Sequence, residues 1–228
     1  MTQLLYDAGA AAYDRLTGRW SRLHVPAALR SLNLRDGMRV LDAATGTGDA
    51  AIAAARQVGP SGRVIGIDLS APMLAIARSK SQGEPVEFIE ASVDALPFAE
   101  GEFDAVLCLF GLMFFPSPVD ALRNFKRLTK RGGSFAATTW ATTRRAPFAG
   151  LLAEALSQEL PDLRAELLRP FSLAEPDSLR AMLESAGFDD VAVSLDQQKS
   201  TFSSFDDFWS PIEAGGGRLG GQSQLNRS

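Results

Sequence analysis

The chain has 228 residues, enough for one α/β domain with a full core and short for two. With 46% hydrophobic and 22% charged residues, its composition is that of an ordinary globular domain, which excludes a disordered or fibrous chain. A formal net charge of −4 argues against nucleic-acid binding, because that depends on clustered Lys and Arg displacing counterions from phosphate. The pairs Lys126-Arg127, Lys130-Arg131 and Arg144-Arg145 read as helix ends and solvated loops. One cysteine, Cys108, excludes an internal disulfide framework, and one histidine leaves no metal-ligand cluster, so no metal is expected. The start "MTQLLYDAGA" lacks the basic-then-apolar layout of a secretory signal. The longest apolar run, "AVLCLFGLMFF", is well short of the roughly 20 residues that span a bilayer. A reduced, cytoplasmic setting without stable membrane insertion is the expectation.

In chain order, residues 2–33 read as two helices carrying Tyr6, Tyr13, Trp20 and His24, an N-terminal helical lid over residues 1–36. From 37 to 140, strand-like and helix-like segments alternate, the signature of a Rossmann-like, doubly wound and mostly parallel α/β sheet with helices on both faces. "MRVLDAA", "RVIGIDLS", "VEFIEA", "FDAVLCLF" and "GSFAATTW" are the strands. Between them, Ser70 caps "APMLAIARSK", Ser117-Pro118 opens "VDALRNFKRLTK", and Gly132-Gly133 marks the end of the latter helix. Leu122, Phe125 and Leu128 share one face, which predicts packing on the sheet. A helical insertion follows near 147–170, then a helix in "SLAEPDSLRAMLESAGF" stopped by Gly187, then a last strand in "DVAVSLDQQKSTF". The domain so predicted runs from 37 to 212, and 213–228 reads as a flexible, glycine-rich tail.

The stretch "VLDAATGTGDAAI" runs a strand through closely spaced glycines into a helix. Such a turn lets a ligand approach the backbone and meet the free N–H groups of the helix. By itself "GTGDAA" also satisfies the G-x-G-x-x-A dinucleotide form, or a helix packed closely on a sheet. The acids shift the reading. Asp42 at the strand end and Asp49 in the first helical turn would repel a pyrophosphate and favour a cationic ligand such as S-adenosylmethionine, although Asp49 also suits the helix dipole. Asp68 ends the next strand, where a carboxylate reaches the crevice and accepts from a ribose diol.

Taken together, "VLDAATGTGD", "VIGIDLSAPMLAIAR", "ASVDALPFAEGEFDAVLCLFGLMFF" and "ALRNFKRLTKRGG" resemble, in order and spacing, the class I S-adenosylmethionine-dependent methyltransferases, and among them the ubiquinone/menaquinone-biosynthesis-type (methyltransferase type 11) branch. The resemblance is strong over about 37–140 and loose in the flanks. It implies that Asp42, Ala43, Gly46 and Gly48 line the methionine and ribose end of the cofactor and Asp68 its ribose diol. Leu69 and Met73 would lie against adenine, and Leu109 and Phe110 would approach the methyl donor. Where the family commonly has an acid for the adenine amino group this chain has Ser92, beside Val93, a weaker acceptor that predicts reduced affinity or a water-mediated contact. Ala44 replaces the first glycine of the general pattern, as is common in this branch. The product would be S-adenosylhomocysteine.

Methyl transfer from a sulfonium releases a neutral thioether, so alignment and desolvation can carry catalysis, and a base is needed only if the acceptor must lose a proton. His24 is the candidate base by type; a surface histidine on a helix is the preferred reading. Cys108 reads as an inert core residue. The absence of an Asn/Asp-Pro-Pro-aromatic motif after the fourth strand disfavours amide and adenine amino acceptors. Tyr13, Trp20, Met113, Phe114 and Trp140 suggest a pocket for a small apolar or aromatic acceptor, with Phe110 also a possible wall. In this family the sheet ordinarily ends in two antiparallel strands, the last beside the fifth. Only one is foreseen here, so the pair is incomplete or atypical and leaves a sheet edge that a partner chain, a homodimer included, or a loop must cover. Two alternatives stand beside this reading: a non-methylating or inactive S-adenosylmethionine-binding protein, and an NAD-dependent oxidoreductase.

Overall fold

The structure, a computed structural model, describes residues 9–213. The expectations for Tyr6 and for the glycine-rich stretch beyond 213 lie outside the described residues. Five strands form one all-parallel sheet: β1 (Arg39–Ala43), β2 (Arg63–Asp68), β3 (Val86–Glu90), β4 (Phe103–Leu109) and β5 (Thr129–Thr138). Their order is β3-β2-β1-β4-β5, so the direction of winding reverses between β1 and β4. Ligands of such sheets bind at that switch point, outside the carboxyl ends of the strands.

Two core layers follow from the two-residue period of the strands. Val40, Val64, Phe88, Ala105, Leu107 and Ala136 face one way, under α2 (Thr17–Leu32), α3 (Asp49–Val58) and α4 (Ala71–Lys80). Leu41, Ile65, Ile67, Val106 and Cys108 face the other way, under α5 (Pro118–Leu128) and α8 (Pro176–Ser185). In α3, Ala50, Ala51, Ala54 and Ala55 are buried, and their small side chains bring the helix close to the sheet. Ser70 and Ser117 cap their helices as foreseen, each accepting a backbone N–H at 3.4 Å.

The N-terminal helices divide their work. Val25, Leu29 and Leu32 of α2 belong to the core. α1 (Ala10–Arg15) instead carries Asp14, which Thr47, Arg22 and Lys80 bond. The insertion folds as α6 (Pro147–Glu159) and α7 (Arg164–Leu168).

Two local expectations are corrected. The helix before β5 stops at Leu128 rather than at Gly132-Gly133, because Thr129 already pairs with Phe103. The register then jumps to Ala105 opposite Ser134, and the glycines serve this bulge. Gly132 has φ +75°, and a Cβ on Gly133 would stand 2.7 Å from the Asp104 carbonyl. Second, residues 191–202 do not join the sheet. A strand needs a ladder partner, and the segment that would lie between it and β5 instead forms α9 (Phe205–Glu213). The C-terminal strand pair is thus missing among the described residues, further than the single strand expected. In α9, Asp207 of the first turn is bonded by Arg19 of α2 at 3.1 Å.

Candidate functional site

Every loop at the carboxyl edge of β1, β2, β4 and β5 contributes to one crevice. At the end of β1, Asp42 is 1% exposed and accepts from Thr45 Oγ1 at 2.6 Å. Burial pushes its carboxyl up to about 7, against the hydrogen bonds from Thr45 and the Ala51 backbone and with the help of the nearby Asp68 and Asp49 charges. At the end of β2, Asp68 holds two backbone N–H groups: Gly46 on Oδ2 at 2.8 Å and Ser70 on Oδ1 at 2.9 Å.

The two glycines of the loop differ in kind. A Cβ on Gly46 (φ +55°) would meet nothing within 4 Å, so the backbone there is open to a ligand. A Cβ on Gly48 (φ +82°) would stand 2.7 Å from Ala77 Cβ and 2.9 Å from Phe88 Cζ, so Gly48 answers to helix packing as much as to the crevice. Ala43 is fully buried in the second core layer and can offer a ligand only its backbone. Of the four non-glycine residues with positive φ among the described ones, two stand at this edge, Ala44 (57°) and Phe110 (55°). They meet through Gly111, whose Cβ would lie 2.6 Å from Ala44 Cβ. Such left-handed positions cost about 1–3 kcal/mol each and gather at functional sites.

Asp49 is engaged away from the crevice. Its Oδ1 lies 3.0 Å from Lys80 Nζ and its Oδ2 3.2 Å from Arg22 Nη1, and both cations also bind Asp14 of α1, at 2.8 and 3.1 Å. Thr47 Oγ1 donates to the same Asp14 oxygen at 2.7 Å. The network ties α1, α2 and α4 to the glycine loop. Asp14, Arg22 and Lys80 were missed in the sequence; they come from three separate segments, with no local pattern to join them.

Beyond the ends of β2 and β3, Leu69 is 47% exposed while Met73 and Val93 are buried. Ser92 Oγ lies 3.3 Å from Asp94 Oδ2 and accepts the Asp94 N–H at 3.2 Å. Beyond β4 and β5, four rings come together. Phe110 lies against Trp140 at a tilt of 32° with centroids 4.5 Å apart, and Trp20 meets Trp140 edge-on at 6.4 Å. His24 packs edge-on against Phe110 at 5.5 Å and Trp140 at 6.4 Å. Its side chain is 14% exposed, with Nδ1 2.8 Å from Asp196 Oδ2, which corrects the surface-histidine reading. Tyr13 is half-buried on α1, Leu109 and Phe114 are half-buried, and Met113 is buried in the turn Leu112–Phe114. Cys108 is buried in the core, and burial pushes its thiol well up, so it is no nucleophile. Among the described residues no group of three or more His, Cys, Asp or Glu is placed to hold a metal ion, and no helix is long and apolar enough to cross a membrane.

A parallel sheet wound 3-2-1-4-5, with an open glycine at its switch point, a buried carboxylate beneath it and a second acid one strand over, defines a class I S-adenosylmethionine-dependent methyltransferase. Comparisons with known proteins agree. A methyltransferase domain family matches residues 40–133. The demethylmenaquinone methyltransferase of Thermus thermophilus is 34% identical over 183 residues, covering 75% of this chain and 81% of that protein. The ubiquinone/menaquinone biosynthesis C-methyltransferase UbiE of Hahella chejuensis is 36% identical over 137 residues, covering 57% of this chain and about half of that protein, 55%. Among solved structures, a chain from the complex between the Haloferax volcanii Trm112 methyltransferase activator and a methyltransferase superposes with a TM-score of 0.63 at 22% identity, covering 94% and 92% of the two chains, a likeness of fold. The chain belongs to the ubiquinone/menaquinone-biosynthesis-type family of S-adenosylmethionine-dependent methyltransferases. Its cofactor is S-adenosylmethionine, which sets aside the NAD-dependent alternative.

Proposed function

We propose that the methyl acceptor is a small apolar aromatic molecule bearing a hydroxyl, held between α2 and the ends of β4 and β5. The observation that carries this reading is the cluster of Trp20, His24, Phe110 and Trp140, four rings in edge and face contact beside the glycine loop. Ring faces and edges of this kind favour a flat apolar partner, and the few polar atoms among them would fix its orientation. The names of the relatives, a C-methyltransferase of ubiquinone and menaquinone biosynthesis and a demethylmenaquinone methyltransferase, support a quinol-like ring and a carbon acceptor.

S-Adenosylmethionine supplies, when bound, an electrophilic methyl group on a positively charged sulfur. In this reading Asp42 favours the cationic end, the Gly46 backbone approaches it, and Asp68 accepts from the ribose. Leu69, Met73, Val93 and Ser92 border the adenine. Ala43, Gly48 and Leu109 shape the floor, while Phe110 separates cofactor from acceptor. Tyr13, Met113 and Phe114 belong to the outer wall. A cytoplasmic location is part of the same proposal. So is a homodimer through the outer edge of β5, which carries no neighbouring strand among the described residues. Fractionation and sedimentation velocity test these two.

The acceptor reading is tested by incubating the full chain with S-adenosylmethionine and a panel of 1,4-dihydroxynaphthalene, 2-naphthol and histamine, following S-adenosylhomocysteine release. Turnover of the aromatic hydroxyl compounds, with KM raised by Trp140→Ala, is expected. Turnover of histamine alone would overturn it.

A further inference from the structure

We propose that His24, oriented by Asp196, is the proton acceptor of the acceptor pocket; this rests on the aromatic-hydroxyl reading above. The two residues stand 172 positions apart, yet His24 Nδ1 lies 2.8 Å from Asp196 Oδ2. Asp196 is itself braced by Gln198 Nε2, which donates to Oδ1 at 2.9 Å. Burial alone would raise the Asp196 carboxyl. The hydrogen bonds from His24 and Gln198, with the charges of His24 and Arg30, outweigh this and hold it below the ordinary carboxylate range. An ionised carboxylate can only accept, so Nδ1 carries the hydrogen in the neutral imidazole and Nε2 carries the lone pair. This is the arrangement in which a carboxylate fixes the tautomer of a histidine base and offsets the imidazolium that forms.

The surroundings tie the pair to the site. The imidazole sits against Phe110, which leads from β4 to the Gly111–Ala44 contact of the cofactor loop, and against Trp140, just beyond β5. The groups facing it from those strands are thus apolar rings. From the C-terminal segment comes Asp196, whose charge is met by Arg30 of α2. Arg22 and Arg19 of the same helix are engaged by Asp14 and Asp49 and by Asp207. A pair serving only to pin the C-terminal segment would have no need of a place among the acceptor rings.

In the step assigned to His24, the O–H bond of the acceptor breaks and its proton bonds to Nε2. The electron pair stays on the acceptor oxygen and delocalises into the ring, which becomes the nucleophile at oxygen, or at a ring carbon whose own hydrogen then leaves as a proton to solvent as the ring regains its aromaticity. Asp196 balances the imidazolium, and the methyl group comes from the established activity.

The test uses 2-naphthol, a neutral phenol at pH 7 whose anion absorbs at longer wavelength, added to the full chain with S-adenosylhomocysteine. A naphtholate band is expected in the wild type, its loss in His24→Gln, and its reduction in Asp196→Asn. With S-adenosylmethionine, His24→Gln should lower kcat about 10²- to 10⁴-fold while cofactor affinity by calorimetry is unchanged. In Asp196→Asn the acid limb of the kcat profile should move to lower pH. An equal naphtholate band in wild type and His24→Gln, or bound naphthol without ionisation in the wild type, overturns the base assignment alone. Cofactor binding without any naphthol binding overturns the acceptor reading and the base with it. Should His24→Gln fail to fold, the band and the acid limb of Asp196→Asn decide.

Discussion

The Gly46 N–H donates to Asp68 Oδ2 at 2.8 Å, so the loop after β1 and the acid ending β2 form one hydrogen-bonded unit before any ribose is present. Loss of that carboxylate is felt in two places. Asp68→Asn should relax the loop and weaken the ribose contact together. Hydrogen bonds to a charged partner contribute about 1.5–3 kcal/mol, so the Kd for S-adenosylmethionine should rise about 10- to 100-fold. Calorimetry checks this; an unchanged Kd would mean that the ribose is held elsewhere.

Asp42 gives the site a pH dependence with a definite sign. Burial raises its carboxyl to about 7, so the folded state binds the proton more tightly than the unfolded chain does. The stability it contributes is present below the unfolded carboxylate value of about 4 and is lost as pH rises to about 7. Cofactor affinity should move the opposite way, rising over this window as Asp42 ionises, with proton release on binding. Thermal melts and calorimetry in two buffers follow both effects. In Asp42→Asn the stability should flatten with pH and affinity should fall.

Gly46 and Gly48 separate ligand access from packing. Gly46→Ala should cost only the left-handed backbone penalty, about 1–2 kcal/mol. Gly48→Ala adds overpacking against Ala77 and Phe88, about 1–3 kcal/mol more. Denaturant unfolding should therefore rank Gly48→Ala as the less stable, and cofactor binding should rank Gly46→Ala as the weaker binder relative to its stability. Equal unfolding midpoints would contradict the packing assignment.

Ser92 is the departure from the family pattern that substitution can reverse. Its hydroxyl has Asp94 Oδ2 as neighbour at 3.3 Å and accepts the Asp94 N–H at 3.2 Å, leaving one lone pair for the adenine amino group. Ser92→Asp supplies an ionised acceptor, and such bonds are about twice as strong as neutral ones, so affinity should improve about 3- to 10-fold. Titration with S-adenosylhomocysteine measures it; a loss of affinity would place the adenine amino group elsewhere.

Lys80 stands between two carboxylates, 2.8 Å from Asp14 and 3.0 Å from Asp49. Burial alone would raise the Asp14 carboxyl, yet bonds from Lys80 and Thr47 and the charges of Lys80 and Arg22 hold it below its usual value. The stability this contributes is present above the ordinary carboxylate range and is lost as pH falls through the lowered value. In Lys80→Met that loss should begin at higher pH, and amide exchange in α1 should quicken. Exchange unchanged in α1 would show that the helix is held by packing alone.

Much of the fold was legible because it rests on local signals. The apolar strands, the Ser70 and Ser117 caps and the alternation of periods are properties of short windows, and the glycine loop with Asp42 and Asp68 follows from where strands end. The local errors also have local causes. Gly132-Gly133 reads equally as a helix stop or a bulge, and the pairing of Thr129 with Phe103 chose the bulge. The alternating residues of 190–202 read as a strand, but a strand exists only with a ladder partner, and none adjoins it among the described residues.

The sequence by itself determined the family and the cofactor, since these are carried by motifs whose spacing is short and whose chemistry is local. Tertiary structure alone decided which glycine is open and which is packed. It also decided that Asp49 serves a charge network with Asp14, Arg22 and Lys80, and that His24, whose only neighbours in sequence are those of an ordinary helix, meets Asp196 among aromatic rings. Contacts across 172 residues depend on how helices and strands are stacked, and no periodicity within one segment encodes the partner on another.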